Sequence, residues 1–351
     1  MCPSAPDGAL SAELTQQLSV SSQQDVWPIG LSKDGQELYV ETTTRGFHGI
    51  AAESTRTGAI LTRIERLPPD FDGAQGTVAP DGDVVWMTTY RSTTGSAGTS
   101  AVQLWSPQTR TVTALEPPGQ RTGALSAPVL SGTSGTFAAW EQADGSQQEI
   151  VEANLATGVT DVIARGYVGP PVFVGSALVW PLAGGAASAF VAGRDPQSPS
   201  KLVAVNAATF PSHGPVAVPR ALQAAGSASL IASDGADVAY SSPDETNLFF
   251  SPSPSQPARL VFRLQDGNTF TPGGLAFGAG YLSWETASAV SYLASLHDLA
   301  VAAVPGLSAV VAVGSDIIIE SRYGSKTQRR MHVRLLAQSV ISGLTCAAAK
   351  S

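Results

Sequence analysis

The stretch Val78-Ala79-Pro80-Asp81-Gly82-Asp83-Val84-Val85-Trp86 constrains this chain more than any other. It reads as a short strand, a tight Asp-Gly turn and a second strand ending on an aromatic residue, the pattern of a compact hairpin. The same phrase returns along the chain. Aligned on the turn glycine, seven copies appear, at Gly35, Gly82, Gly135, Gly175, Gly235, Gly280 and Gly314. Six place an aromatic residue four or five positions later (Tyr39, Trp86, Trp140, Trp180, Tyr240, Trp284), and the last has Ile318-Ile319 instead. A second apolar strand precedes each turn, as in Pro171-Val172-Phe173-Val174.

From Tyr39 to Ile319 the copies are spaced 47, 54, 40, 60, 44 and 35 residues apart. A β-only period of about 40–50 residues is that of a propeller blade. The reason is burial: one four-stranded sheet cannot cover its own apolar faces, so neighbouring sheets stack around an axis. The expected fold is therefore all-β, a seven-bladed β-propeller of four-stranded antiparallel blades, or six or eight blades if one copy is misread. Residues 1–9 read as a leader, 10–346 as a single propeller domain and 347–351 as a tail. Alternation over residues 10–20 (Leu10, Ala12, Leu14, Leu18, Val20) predicts a strand that completes the last blade, although Leu10, Leu14 and Leu18 also fit a helix face.

Three copies carry a sharper form: Leu31-Ser32-Lys33-Asp34-Gly35, Val78-Ala79-Pro80-Asp81-Gly82 and Ile231-Ala232-Ser233-Asp234-Gly235. These resemble the Ser-Pro-Asp-Gly repeats of TolB-type bacterial β-propellers. The strand-then-turn ending of Ile150-Val151-Glu152-Ala153-Asn154-Leu155-Ala156-Thr157-Gly158 is similar to theirs as well. The resemblance implies a shape shared by propellers of unrelated function, and it leaves activity open.

A net charge of −8 and a pI near 5.0 argue against a nucleic-acid partner, which wants a basic face. Arginine outnumbers lysine, as in GC-rich bacterial genomes. The uncharged run from Gly166 to Gly193 is long enough to span a bilayer, but Pro170, Pro171, Pro181 and its glycines break it into strands. Two cysteines are present, Cys2 and Cys346. Cys2 followed by a polar leader looks like the mature end of a bacterial lipoprotein. Alternatively, Cys2 and Cys346 meet where the propeller closes and form a disulfide. Both readings imply export, to the cell surface or beyond; two unrelated thiols in a cytoplasmic protein is the third.

No nucleophile elbow, zinc motif, phosphate loop or dinucleotide fingerprint occurs, so the motifs identify no catalytic residue, and no metal or cofactor is expected; propeller enzymes assemble sites from separate blades, which leaves a catalytic site open. His48, His213, His297 and His332 fall in different repeats and read as surface or loop residues. Four glutamates, Glu41, Glu141, Glu285 and Glu320, follow the second strand of their repeats, two of them in a Trp-Glu pair. A shared face of carboxylates can bind a cation or basic peptide, or can simply be strand ends meeting water. A basic hairpin in the last repeat holds Arg322, Lys326, Arg329, Arg330, His332 and Arg334. It suits an anionic surface polymer or headgroup, or else protects an exposed strand edge. Asp70-Phe71-Asp72-Gly73 resembles the start of a calcium loop without its later ligands. The leading expectation is an exported, lipid-anchored propeller that binds or scaffolds an envelope protein or polymer. The alternatives are a hydrolase or lyase with an axial pocket, and a structural subunit of a surface assembly.

Overall fold

A computed structural model describes residues 26–337 except 45, 69–70, 91–99, 116–122, 125, 132–134, 145–146, 167, 185–200, 210–215, 224–229, 243, 265–269, 279, 287–289, 297–300, 306, 314–315 and 324–329. Among the described residues the chain is all-β apart from one helical turn, Arg220–Gln223. Seven antiparallel sheets follow one another, here numbered 1 to 7 and covering 26–66, 71–114, 123–166, 172–209, 231–263, 270–305 and 307–337. Sheets 1, 2, 5 and 6 have four described strands and sheets 4 and 7 have three. Sheet 3 has five, because Gly123–Ala124 pairs with the far end of Phe137–Asp144. Otherwise each sheet's strands lie in chain order, so consecutive strands are joined by hairpins.

The repeated phrase forms the first hairpin of each sheet. Six of its turn glycines sit between the first and second strands, and Gly314 lies outside the described residues. The aspartates are turn formers. Asp34 Oδ1 accepts hydrogen bonds from Ser32 Oγ at 2.6 Å and the Gln36 amide at 3.1 Å. Asp234 Oδ1 accepts from the Ala236 and Asp237 amides at 2.9 and 2.8 Å. A short polar side chain that bonds its own backbone two residues on does this work.

A second turn recurs after the third strand. The Gly58, Arg110 and Gly158 amides each donate, at 2.8 Å, to the carbonyl four residues back, on Ser54, Ser106 and Asn154. All three adopt positive φ, at 66°, 55° and 70°. Glycine takes this conformation freely and arginine does so at a cost.

The described sheets divide into two compact units, 1–67 with 264–351, and 68–263. In the second unit successive sheets stack face to face. Val85, Met87, Val102 and Leu104 of sheet 2 pack on Ala138, Trp140, Val151 and Ala153 of sheet 3. The alternate residues of sheet 3, Ala139 and Ile150, meet Phe173, Leu178 and Trp180 of sheet 4. Val172, Val174, Ala177 and Val179 then pack with Val238 and Tyr240 of sheet 5, and the helical turn adds Ala221 and Leu222. Side chains alternate along a strand, so each of these sheets buries both faces. In the first unit, Val26–Leu31 of sheet 1 lies beside all three strands of sheet 7, and Leu307–Val313 of sheet 7 lies beside the first three strands of sheet 6. The first and last sheets in the chain are thus neighbours.

One expectation is corrected in detail. Tyr39 is not equivalent to Trp140: its register partner is Ala52, whereas Trp140 pairs with Val151, so Tyr39 matches Ala139 and faces the other way. Phe71-Asp72-Gly73 opens the strand Phe71–Val78, so it is not part of a calcium loop. Within the long uncharged run, Val172–Val174 and Ala177–Gly184 are strands, as the prolines and glycines require. No described helix is long and apolar enough to cross a membrane. The segment 10–20 lies outside the described residues.

The turns after the third strand make a paired stability test. A Cβ on Gly158 would meet nothing within 4 Å, so Gly158→Ala isolates the backbone cost. It should destabilise by about 1 kcal/mol, while Arg110→Gly should stabilise by roughly 0.5–1 kcal/mol, both read by urea unfolding. Equal and unchanged midpoints would show that these turns are free to relax.

Candidate functional site

Glu41, Glu141, Glu285 and Glu320 do not follow their strands. Each is the fifth residue of its second strand, in Glu37–Thr44, Phe137–Asp144, Tyr281–Thr286 and Asp316–Tyr323. Glu41 and Glu141 are buried and Glu285 is half-buried, so these carboxylates are not strand ends meeting water. Glu320 pairs in register with Val333.

The sheet 1 and sheet 3 carboxylates are built alike. Glu41 pairs with Ile50 and Glu141 with Ile150, and the two hairpins keep the same register throughout. The residue seven positions on therefore returns diagonally across the hairpin on the same face. In sheet 1 it is His48, whose Nε2 lies 3.1 Å from Glu41 Oε1. In sheet 3 it is Gln148, whose Nε2 donates to Glu141 Oε1 at 2.8 Å. His48 is accordingly neither a surface nor a loop residue; it is a half-buried strand residue held by a carboxylate. Of the other histidines, His213 and His297 lie outside the described residues and His332 pairs with Ser321.

Glu141 stands on the face with Ala139 and Ile150, which meets Phe173, Leu178 and Trp180. The equivalent position in sheet 2 is Met87, which packs in the core with Trp140. A carboxyl group thus occupies an apolar inter-sheet position, 3% exposed. Loss of solvation pushes its pKa up to about 8, against the smaller lowering effect of the Gln148 hydrogen bond. At neutral pH it is a neutral acid.

The opposite face of the same hairpin carries a second network. Trp140 Nε1 donates to Gln142 Oε1 at 3.2 Å, and Gln142 Nε2 donates to Glu149 Oε2 at 3.2 Å. Arg165 Nε closes the chain on Glu149 Oε1 at 2.6 Å. Glu149 is fully buried while Arg165 is 58% exposed, so the charge pair runs from the sheet interior to solvent. Gln142, Gln148, Glu149 and Arg165 escaped the sequence reading. The signal for one of them, Gln148, was its spacing of seven from Glu141, which repeats the spacing from Glu41 to His48.

The basic hairpin is placed in part. Arg330 and Arg334 lie on Arg330–Ala337, the outermost described strand of sheet 7, opposite Tyr323 and Ile319, and Arg322 pairs with Met331. Lys326, Arg329, Cys2 and Cys346 lie outside the described residues. Among the described residues no three His, Cys, Asp or Glu side chains gather to hold a metal ion.

No family model matches the sequence, and no curated protein matches it. Solved structures do. A puromycin hydrolase matches at 14% identity over 98% of this chain and 55% of its own, with a TM-score of 0.56. The β-propeller domain of Myceliophteria thermophila Cps50 (Swd1) matches at 12% identity over 90% of this chain and 99% of its own, with a TM-score of 0.50. TolB from Acinetobacter baumannii matches at 15% identity over 69% of this chain and 55% of its own, with a TM-score of 0.41. The likeness to the Cps50 β-propeller domain establishes the β-propeller fold, and the TolB-like resemblance of the turn repeats is of that generic kind. The chain spans about half the length of the puromycin hydrolase.

Glu141 predicts a pH dependence with a definite sign. Its pKa rises on folding from an ordinary value near 4.5 to about 8, so between these limits the folded state binds more protons and stability falls as pH rises. Urea unfolding should show a loss on the order of several kcal/mol between pH 5 and pH 8, largely abolished in Glu141→Gln. A wild type and variant that decline in parallel would refute it. In sheet 1, His48→Gln should cost less than about 1 kcal/mol because Gln148 already plays that part, whereas His48→Leu should cost about 2–3 kcal/mol.

Proposed function

We propose that the chain forms a seven-bladed β-propeller, exported to the bacterial cell envelope, that acts there as a binding or scaffold module. The proposed ring draws support from seven described sheets in series and from the apposition of sheet 1 with sheet 7, the contact a closed ring needs. The observation that carries the binding reading is where the buried carboxyl groups go. Glu41, Glu141 and Glu149 are each engaged by His48, Gln148 and Arg165 of their own sheet, so these groups serve the scaffold. Recognition then falls to rims and sheet edges, among which the basic strand Arg330–Ala337, outermost of the described strands of sheet 7, suits an anionic envelope partner. Attachment through a lipidated Cys2, or closure by a Cys2–Cys346 disulfide, belongs to this proposal. The second reading is a propeller hydrolase or lyase with an axial pocket, in line with the likeness to puromycin hydrolase.

The test is cross-linking and affinity capture of the full chain from its native envelope, with Arg330→Glu/Arg334→Glu alongside. A single dominant partner, lost in the charge-reversed variant, is the expected outcome. Capture unaffected by charge reversal would remove the basic strand from the interface. Turnover of an ester, peptide or uronate substrate by the purified protein would move the assignment to the enzyme.

A further inference from the structure

The outermost strand of sheet 1, Ile60–Arg66, contains a β-bulge with a chemical consequence. Its register pairs Gly49 with Arg66, Ile50 with Glu65, and Ala51 with Arg63, so Ile64 is the extra residue. Without a bulge, Arg63 and Arg66, three positions apart, would fall on opposite faces of the strand. With it, both align with the alternate residues Ala51 and Gly49 on one face, and Glu65 passes to the other. Phe47, the next residue on that face, lies across Gly49. A Cβ at Gly49 would stand 2.9 Å from Phe47 Cζ and 1.9 Å from the Glu65 carbonyl oxygen, so only glycine admits the ring here.

Both arginines converge on this ring. The Arg63 and Arg66 guanidinium carbons lie 5.1 and 5.9 Å from its centroid, and Arg66 Nη2 donates to the Gly46 carbonyl at 3.0 Å. Phe47 is buried beneath them, while both arginines are exposed. Among the described residues neither forms an ion pair with a carboxylate. Two like charges brought to one place repel unless something holds them. Here the bulge, the missing Cβ and the ring's negative face supply the hold. A fixed pair of planar forks, with one donor spent on Gly46, matches an anion that presents several oxygens.

We infer that Arg63, Arg66 and Phe47 form an oxyanion site that takes a phosphate or sulfate group, free or as an ester on a larger ligand. The site uses none of the residues on which the envelope reading rests, and it stands or falls separately.

The probe is inorganic phosphate, titrated into the full chain and followed by NMR at the arginine Nε–H resonances. Saturable shifts confined to Arg63 and Arg66 are expected, with affinity roughly tenfold weaker in Arg63→Gln or Arg66→Gln and unchanged in Arg110→Gln. Arg63→Lys keeps the charge but loses the planar fork, and should also weaken binding. Phe47→Leu keeps an apolar residue in the core and should release the pair, so circular dichroism of this variant separates loss of the site from loss of fold. Non-saturating shifts shared with Arg110, or affinity unchanged in Arg63→Gln, would overturn the inference. A second arm sediments the protein with phosphatidylcholine vesicles containing phosphatidylglycerol. Arg63-dependent sedimentation identifies a lipid headgroup as the phosphate source; phosphate binding without sedimentation identifies a soluble phosphate or phosphoester.

Discussion

Trp140 lies against Val85 and Met87 of the preceding sheet, and that contact between sheet faces recurs as Trp180 against Ala139 and Ile150 and as Tyr240 against Val179. Each such side chain removes a large apolar area from water, worth some 1.5–3 kcal/mol or more per residue. None of sheets 2 to 5 can be taken away without baring the face of a neighbour. The hairpins, the turn aspartates and the short connections all follow from keeping these faces together.

The same packing makes polar residues on the middle strands expensive. A strand buried on both faces offers them no water, so their partners must come from the same sheet. The diagonal of the second hairpin supplies one, and His48 and Gln148 fill the same place for Glu41 and Glu141. The solutions differ in kind. His48 gives its carboxylate a partner that can carry charge, whereas Gln148 cannot, and burial keeps Glu141 protonated. On the other face of sheet 3, Glu149 is reached by a cation that enters from the surface, Arg165.

The hairpin signal was legible because an Asp-Gly turn between apolar runs is a local matter, decided by a few neighbouring residues. Placing Tyr39 with the tryptophans failed for want of register: counting from the glycine ignores which residue the strand pairs with, and a slip of one reverses the face. The glutamates are legible in type and position but not in burial, since the end of an apolar run in the sequence is not the end of the strand. In the sequence His48 reads as an isolated histidine, because its partner lies across a hairpin rather than beside it in the chain. The Arg63–Arg66 pair gave no signal at all; three-residue spacing in a strand predicts opposite faces, and only the bulge at Ile64 brings the two together.

By itself the sequence determined the all-β class, the repeat and the places of the hairpins, since turn chemistry and alternation act over a few residues. The tertiary structure decided which neighbour each face meets, which carboxylates are buried and which cations converge. Those depend on strand register and on the stacking of sheets far apart in the chain. A single inserted residue or a missing Cβ redirects a side chain without changing the local pattern.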